Sequence, residues 1–169
     1  MTVPVTNITP VTATNPSAQA DLMTFTFPTG ALNSLNRTIY FWGAGAYTTA
    51  SGQTPTFRLR ASLGGVTILD FTSGATTASV TKTWNAEGYI VVSATGATGT
   101  VEAHGIFNVE LGAGAAGSVA ETSYNDAVVA ASSSIDLTAS NILKLTALFS
   151  SSNAGNSITQ RQFIAELGN

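Results

Sequence analysis

Apolar and polar residues alternate with a period of two along most of this chain, which is the repeat of a strand with one buried and one solvated face. The alternation is cleanest in TFRLRASL (56–63). There Phe57, Leu59, Ala61 and Leu63 fall on an inward face, and Arg58, Arg60 and Ser62 on an outward one. Gly64-Gly65 supplies a two-residue turn into VTILDF (66–71), so the two segments read as a hairpin. RTIYFWGAGAY (37–47) places Ile39, Phe41, Gly43, Gly45 and Tyr47 on one face, with Tyr40 and Trp42 on the other. Glycines at such positions predict the close approach of a neighbour or room for a bulky one. Between Leu22 and Phe27 the residues sort as Leu22, Thr24, Thr26 against Met23, Phe25, Phe27. Further strands are predicted over 82–94, 99–111, 141–152 and 157–167, with a weaker one near Val128 to Leu137. Helical periodicity is limited to a turn near 121–130. Eight or nine short strands with no helices between them predict an all-β fold, an antiparallel β-sandwich of jelly-roll type.

The first twenty residues, MTVPVTNITPVTATNPSAQA, follow another rule. They carry no charge, and Pro4, Pro10 and Pro16 recur every six residues, which opposes helix and favours an extended path. Asp21 is the first charged residue. The predicted organisation is an extended arm over 1–20 and a sandwich domain over 21–169.

Composition narrows what such a domain does. The chain has 169 residues, of which only 9% are charged, against roughly 25% in an ordinary soluble domain. Few charges point to a surface covered in an assembly or a membrane. No run approaches the roughly 18 apolar residues of a spanning helix, and the N-terminus lacks the basic and apolar regions of a secretory signal. The formal charge is −3 and basic residues are scattered, which disfavours nucleic acid as a partner. The absence of cysteine excludes disulfides, thiolate metal sites and thiol catalysis.

Four constellations suggest chemistry, and each has a plainer explanation. GAGAAG (112–117), with Asp136 about twenty residues on, matches a dinucleotide fingerprint. The strand-then-helix context that would hold a pyrophosphate is missing, so it reads as a glycine-rich loop. His104 is the only histidine and shares a strand face with Glu102. Without further ligands or a nucleophile motif, it reads as a surface or interface residue. The nine acids are dispersed, and none pairs as a glycosidase would require. Tyr40, Phe41, Trp42 and Trp84 make either a stacking platform for sugars or bases, or core and interface. No catalytic, metal-binding or cofactor-binding residue is assigned, and no cofactor is expected.

Four stretches occur in a telling order: LNRTIYFWGAGAYTT, PTFRLRASLGGVTILD, GATGTVEAHGIFNV and SIDLTASNILKLTALFSSSNAGNSITQRQFIAEL. Together they resemble a family of small virion proteins of tailed bacteriophages, over about residues 32–167. The LGG hairpin and GATGTVEAHG are the most specific parts. Asn36 stands where the family commonly has Gly, and LTALFSS where a Trp often closes the strand. The resemblance implies a trimer-forming jelly roll used as capsid cement (decoration) protein, or in tail and fibre components. The implied partners are the major capsid protein and sister subunits, on the outer surface of the head. The alternative is a tail-fibre or receptor-binding head that recognises the host surface. The arm would then add to an open sheet edge of a neighbour, through Val3, Pro4, Val5, Ile8, Pro10, Val11 and Pro16. A carbohydrate-active enzyme is the third, weaker class.

Overall fold

The computed structural model describes residues 5–111, 129–130 and 134–168. Eleven strands and no helix occur among them: β1 (Val5–Asn7), β2 (Val11–Thr14), β3 (Ala20–Phe27), β4 (Thr38–Thr48), β5 (Thr56–Leu63), β6 (Val66–Ala75), β7 (Thr81–Ala94), β8 (Thr100–Val109), β9 (Val129–Ala130), β10 (Asn141–Phe149) and β11 (Ser157–Gly168). They form an antiparallel β-sandwich. The large sheet runs β1-β11-β4-β7-β8-β9, with β2 also on β11, and the small sheet runs β3-β10-β5-β6. The β3–β4, β4–β5, β6–β7 and β10–β11 connections cross between the sheets, whereas β5–β6 and β7–β8 are hairpins within one sheet.

The period-two pattern acts as expected where the ladders are regular. Phe57, Leu59, Ala61 and Leu63 are fully buried and Arg58 and Arg60 stay on the outside, but Ser62, expected outward, is buried where β5 slips register against β6 between Ala61 and Ser62. Gly64 and Gly65 have φ of 58° and 86°, the pair of positive values that a type I′ hairpin turn requires. The predicted segregation of residues 22–27 is broken. β10 loses register between Lys144, opposite Thr24, and Thr146, opposite Asp21. Leu22 and Met23 therefore share the space facing Leu145, and this bulge turns both inward, at 4% and 1% exposure. In the region of the helical turn expected near 121–130, Val129–Ala130 is a strand on β8, and the rest of that stretch lies outside the described residues. The weak strand near 128–137 is present as β9 and a single bridge from Ile135 to Gly99.

The core lies between the sheets and centres on Phe57. Its ring lies 5.3 Å from Phe107, 5.7 Å from Phe149, 5.8 Å from Tyr47 and 6.2 Å from Trp84. These distances suit tilted and edge-to-face aromatic packing, which adds to area burial. Gly88 faces Phe41 across the β4–β7 ladder. A Cβ on Gly88 would lie 2.6 Å from the Phe41 ring, so the glycine is the space that the ring occupies.

The leader forms part of the large sheet. β1 pairs with β11 from Val5 opposite Ala165 to Asn7 opposite Phe163, and β2 from Val11 opposite Gln160 to Thr14 opposite Ser157. Both lie on the side of β11 away from β4. Val11 and Ala13 pack against the core. Asn15 ends β2 with φ of 48°, a left-handed conformation that Asn tolerates better than most residues. Its Oδ1 accepts hydrogen bonds from the Asn153 N–H at 2.7 Å and the Ser152 hydroxyl at 3.1 Å, and its N–H donates to the Asn156 carbonyl at 2.7 Å.

Candidate binding surfaces

Two surfaces follow from this architecture: the edge bearing the leader, and the outward face of the large sheet. On the edge, Val11 is half-buried against the core and Pro16 is buried, with its carbonyl accepting from the Phe149 N–H at 2.8 Å. Both are thus engaged within their own chain. Ile8, at 68% exposure, and Pro10 lie on the exposed link between β1 and β2. Val5 belongs to β1, and Val3 and Pro4 lie outside the described residues.

On the large sheet, register brings residues from distant parts of the sequence into two rows. Glu166, Tyr40, Tyr89 and His104 are successive cross-strand neighbours on β11, β4, β7 and β8. Ile164, Trp42, Glu87 and Ile106 form the adjoining row. Tyr40 and Tyr89 have ring centroids 5.0 Å apart at an interplanar angle of 51°, and Tyr89 is 58% exposed. The Tyr40 hydroxyl donates to Glu87 Oε2 at 3.2 Å. Its pKa is raised, first by burial and then by the adjacent Glu87 carboxylate. A shallow depression beside this pair is lined by Thr38, Tyr40, Tyr89, Glu166 and Gly168. Glu102 and His104 both lie exposed on the same outward face of β8.

The four aromatics singled out from the sequence therefore divide. Phe41 and Trp84 are core residues at 0% and 2% exposure, so neither stacks on an external ligand. Tyr40 and Trp42 point outward, where Tyr89, Ile106 and Ile164 join them. Those three were overlooked, although a large apolar residue at an outward position of an alternating strand is a legible signal of a surface that meets something. The remaining constellations stay apart. The Asp136 carboxylate is exposed and accepts from the Thr138 N–H at 3.0 Å and from its hydroxyl, which hold its pKa below the ordinary value. It braces its own turn. GAGAAG (112–117) lies outside the described residues. Among the described residues no cluster of three or more His, Asp or Glu could hold a metal ion.

The small sheet presents a different outer surface. Asp70 bridges Arg58 at 2.5 Å and Arg60 at 2.9 Å, and Lys144 pairs with Asp21 at 3.0 Å. Partial burial pushes the Asp70 carboxyl up, but hydrogen bonds and charge from the two arginines outweigh it and leave the pKa lowered. At the far end of the large sheet, Lys82 pairs with Glu110 at 2.6 Å and lowers its pKa.

No family model matches the chain, and no curated protein matches it. Among solved structures it is similar to the CBM2 module of the evolved Dit of Lactobacillus casei BL23 phage J-1, at 11% identity and a TM-score of 0.34, covering 85% of this chain and 67% of that one. It is also similar to a structure of infectious bursal disease virus, Gx strain, at 10% identity and a TM-score of 0.35, covering 99% of this chain and 42% of that one. Neither similarity reaches the level at which a shared topology or ligand follows.

Proposed function

We propose that the chain is a non-enzymatic structural protein of a bacteriophage virion, a capsid cement protein whose trimers sit on the outer head and staple neighbouring capsomers. The observation that carries this reading is the ordered sequence resemblance across residues 32–167. Its segments span β4, β5 with its turn and the first half of β6, β8, and β10 with nearly all of β11. The low charge also supports it, because interface centres are depleted of charged residues. A cement protein binds the assembled lattice in preference to free subunits, and so stabilises the shell by mass action.

The leader remains the proposed reaching element, with a narrower contact. Val11 and Pro16 brace the protein's own sheet and β1 pairs with its β11, so the described part left to engage a neighbour is the exposed link over residues 8–10, with Ile8 as its apolar anchor. Deleting residues 2–10 keeps β2 and the Asn15 contacts. The truncated protein is expected to remain folded but to lose retention on purified heads in a sedimentation assay. Wild-type occupancy would rule out the leader as the staple.

A second reading, a tail-fibre or receptor-binding head, is favoured by one feature: Tyr40, Trp42 and Tyr89 gathered on one outward face. Immunogold labelling of intact particles separates the two. Label on heads supports cement, and label confined to tails supports host recognition.

A further inference from the structure

The outward face of the large sheet combines aromatic rings with carboxylates that form no salt bridge among the described residues. Of the nine acids, Asp21, Asp70, Glu87, Glu102 and Glu166 lie in β-strands of the sandwich, and Glu110 directly follows β8. Asp21, Asp70 and Glu110 each hold a basic side chain. Glu87, Glu102 and Glu166 form no salt bridge among the described residues, and all three lie on this one face. The base nearest the depression in sequence, Arg37, donates to the Gly168 carbonyl at its rim, and His104 stands beside Tyr89.

We propose that this face docks a cationic polypeptide segment, with an arginine or lysine side chain seated over Tyr40 and Tyr89 between Glu87 and Glu166. Ring faces attract a cation through their quadrupole, and a guanidinium adds hydrogen bonds to carboxylates. The alternatives fit less well. A purely apolar partner would strip water from three carboxylates without replacing it. Two rings inclined at 51° make no flat floor for a neutral sugar. A second copy presenting the same face would set carboxylates against carboxylates. The proposal names the surface by which the partner of the preceding section is held, and rests on that reading for the partner's place in a virion.

The test titrates a hexa-arginine peptide onto the full chain by calorimetry, with the citrulline peptide as its uncharged counterpart. Wild type is expected to bind the arginine peptide, more weakly as salt rises, and not the citrulline peptide. The double variant Glu87→Gln/Glu166→Gln and the variant Tyr89→Ala are each expected to weaken binding by about tenfold, with unchanged circular dichroism. Asp21→Asn, on the small sheet, is expected to leave affinity unchanged. Equal affinity for wild type and the double variant overturns the proposal, as does an equal loss in Asp21→Asn. Self-association that these substitutions abolish also overturns it, in favour of a second copy. Sedimentation with phage particles keeps the two readings apart. Variants that lose the peptide but still coat particles sink this face alone. A protein that binds the peptide here but coats no particle sinks the virion reading and leaves the face standing.

Discussion

Gln160, on β11 of the large sheet, accepts a hydrogen bond through Oε1 from the backbone N–H of Met23, on β3 of the small sheet, at 2.9 Å. The amide is fully buried, and its Nε2 donates to the Gln162 carbonyl at 3.1 Å. Both strands are irregular at this point: β10 slips register against β3 beside Met23, and β11 slips against β4 between Gln160 and Gln162. One side chain thus serves two backbone groups at the slips, and ties the sheets together. Replacing Gln160 with Leu preserves bulk but leaves the buried Met23 N–H without its acceptor and the Gln162 carbonyl without this donor. The expected loss is about 2 kcal/mol or more, read as a lower urea midpoint.

Gly88 and Phe41 predict a coupled effect. Gly88→Ala forces a methyl against the ring, and overpacking of this kind costs about 1–3 kcal/mol. Trimming the ring in Phe41→Leu is destabilising alone. It should recover part of the loss when combined with Gly88→Ala, so a double-mutant cycle is expected to show favourable coupling. Strict additivity would mean that the strain is relieved elsewhere.

Acid should weaken the protein through Asp70 and Glu110. Both carboxyls have folded pKa values below their ordinary 3.8 and 4.5. The unfolded state therefore binds protons first as pH falls. Their contribution is complete above the ordinary values and is lost as pH drops through the folded ones. Because Asp70 and its arginines are partly solvated, screening holds its share to about 1 kcal/mol. Thermal midpoints measured from pH 6 down to about 2 should fall in that window, with a shallower fall in Asp70→Asn.

The Asn15 contacts predict local opening of the leader. Asn15→Ala removes the acceptor of the Asn153 N–H and Ser152 hydroxyl, and places a less tolerant residue at positive φ. A local loss of about 1–2 kcal/mol is expected. Hydrogen exchange should accelerate in residues 11–14 while β5 and β10 keep their protection. Uniform acceleration would show instead that the leader unfolds only with the whole sandwich.

Much of this protein was determined by its sequence alone. The all-β character, the β5–β6 hairpin and the inward sets of β4 and β5 follow from period-two alternation and paired glycines, because a strand's faces and an I′ turn's φ values are local properties. Within the uncharged, proline-spaced leader, Val5–Asn7 and Val11–Thr14 are extended strands. Tertiary structure decided which edge the leader meets, since any open edge offers the same hydrogen-bonding groups and only packing of Val11 and Ala13 selects β11. It decided that Leu22 and Met23 both turn inward, because a bulge depends on the partner strand's register. It placed Trp84 in the core against Phe57 of the other sheet, whereas Trp42 faces outward as the alternation of β4 requires. It also gathered Glu87, Glu102 and Glu166 around Tyr40 and Tyr89. That face joins residues up to 126 positions apart, Tyr40 to Glu166, and cross-strand register, which no local pattern encodes, is what brings them together.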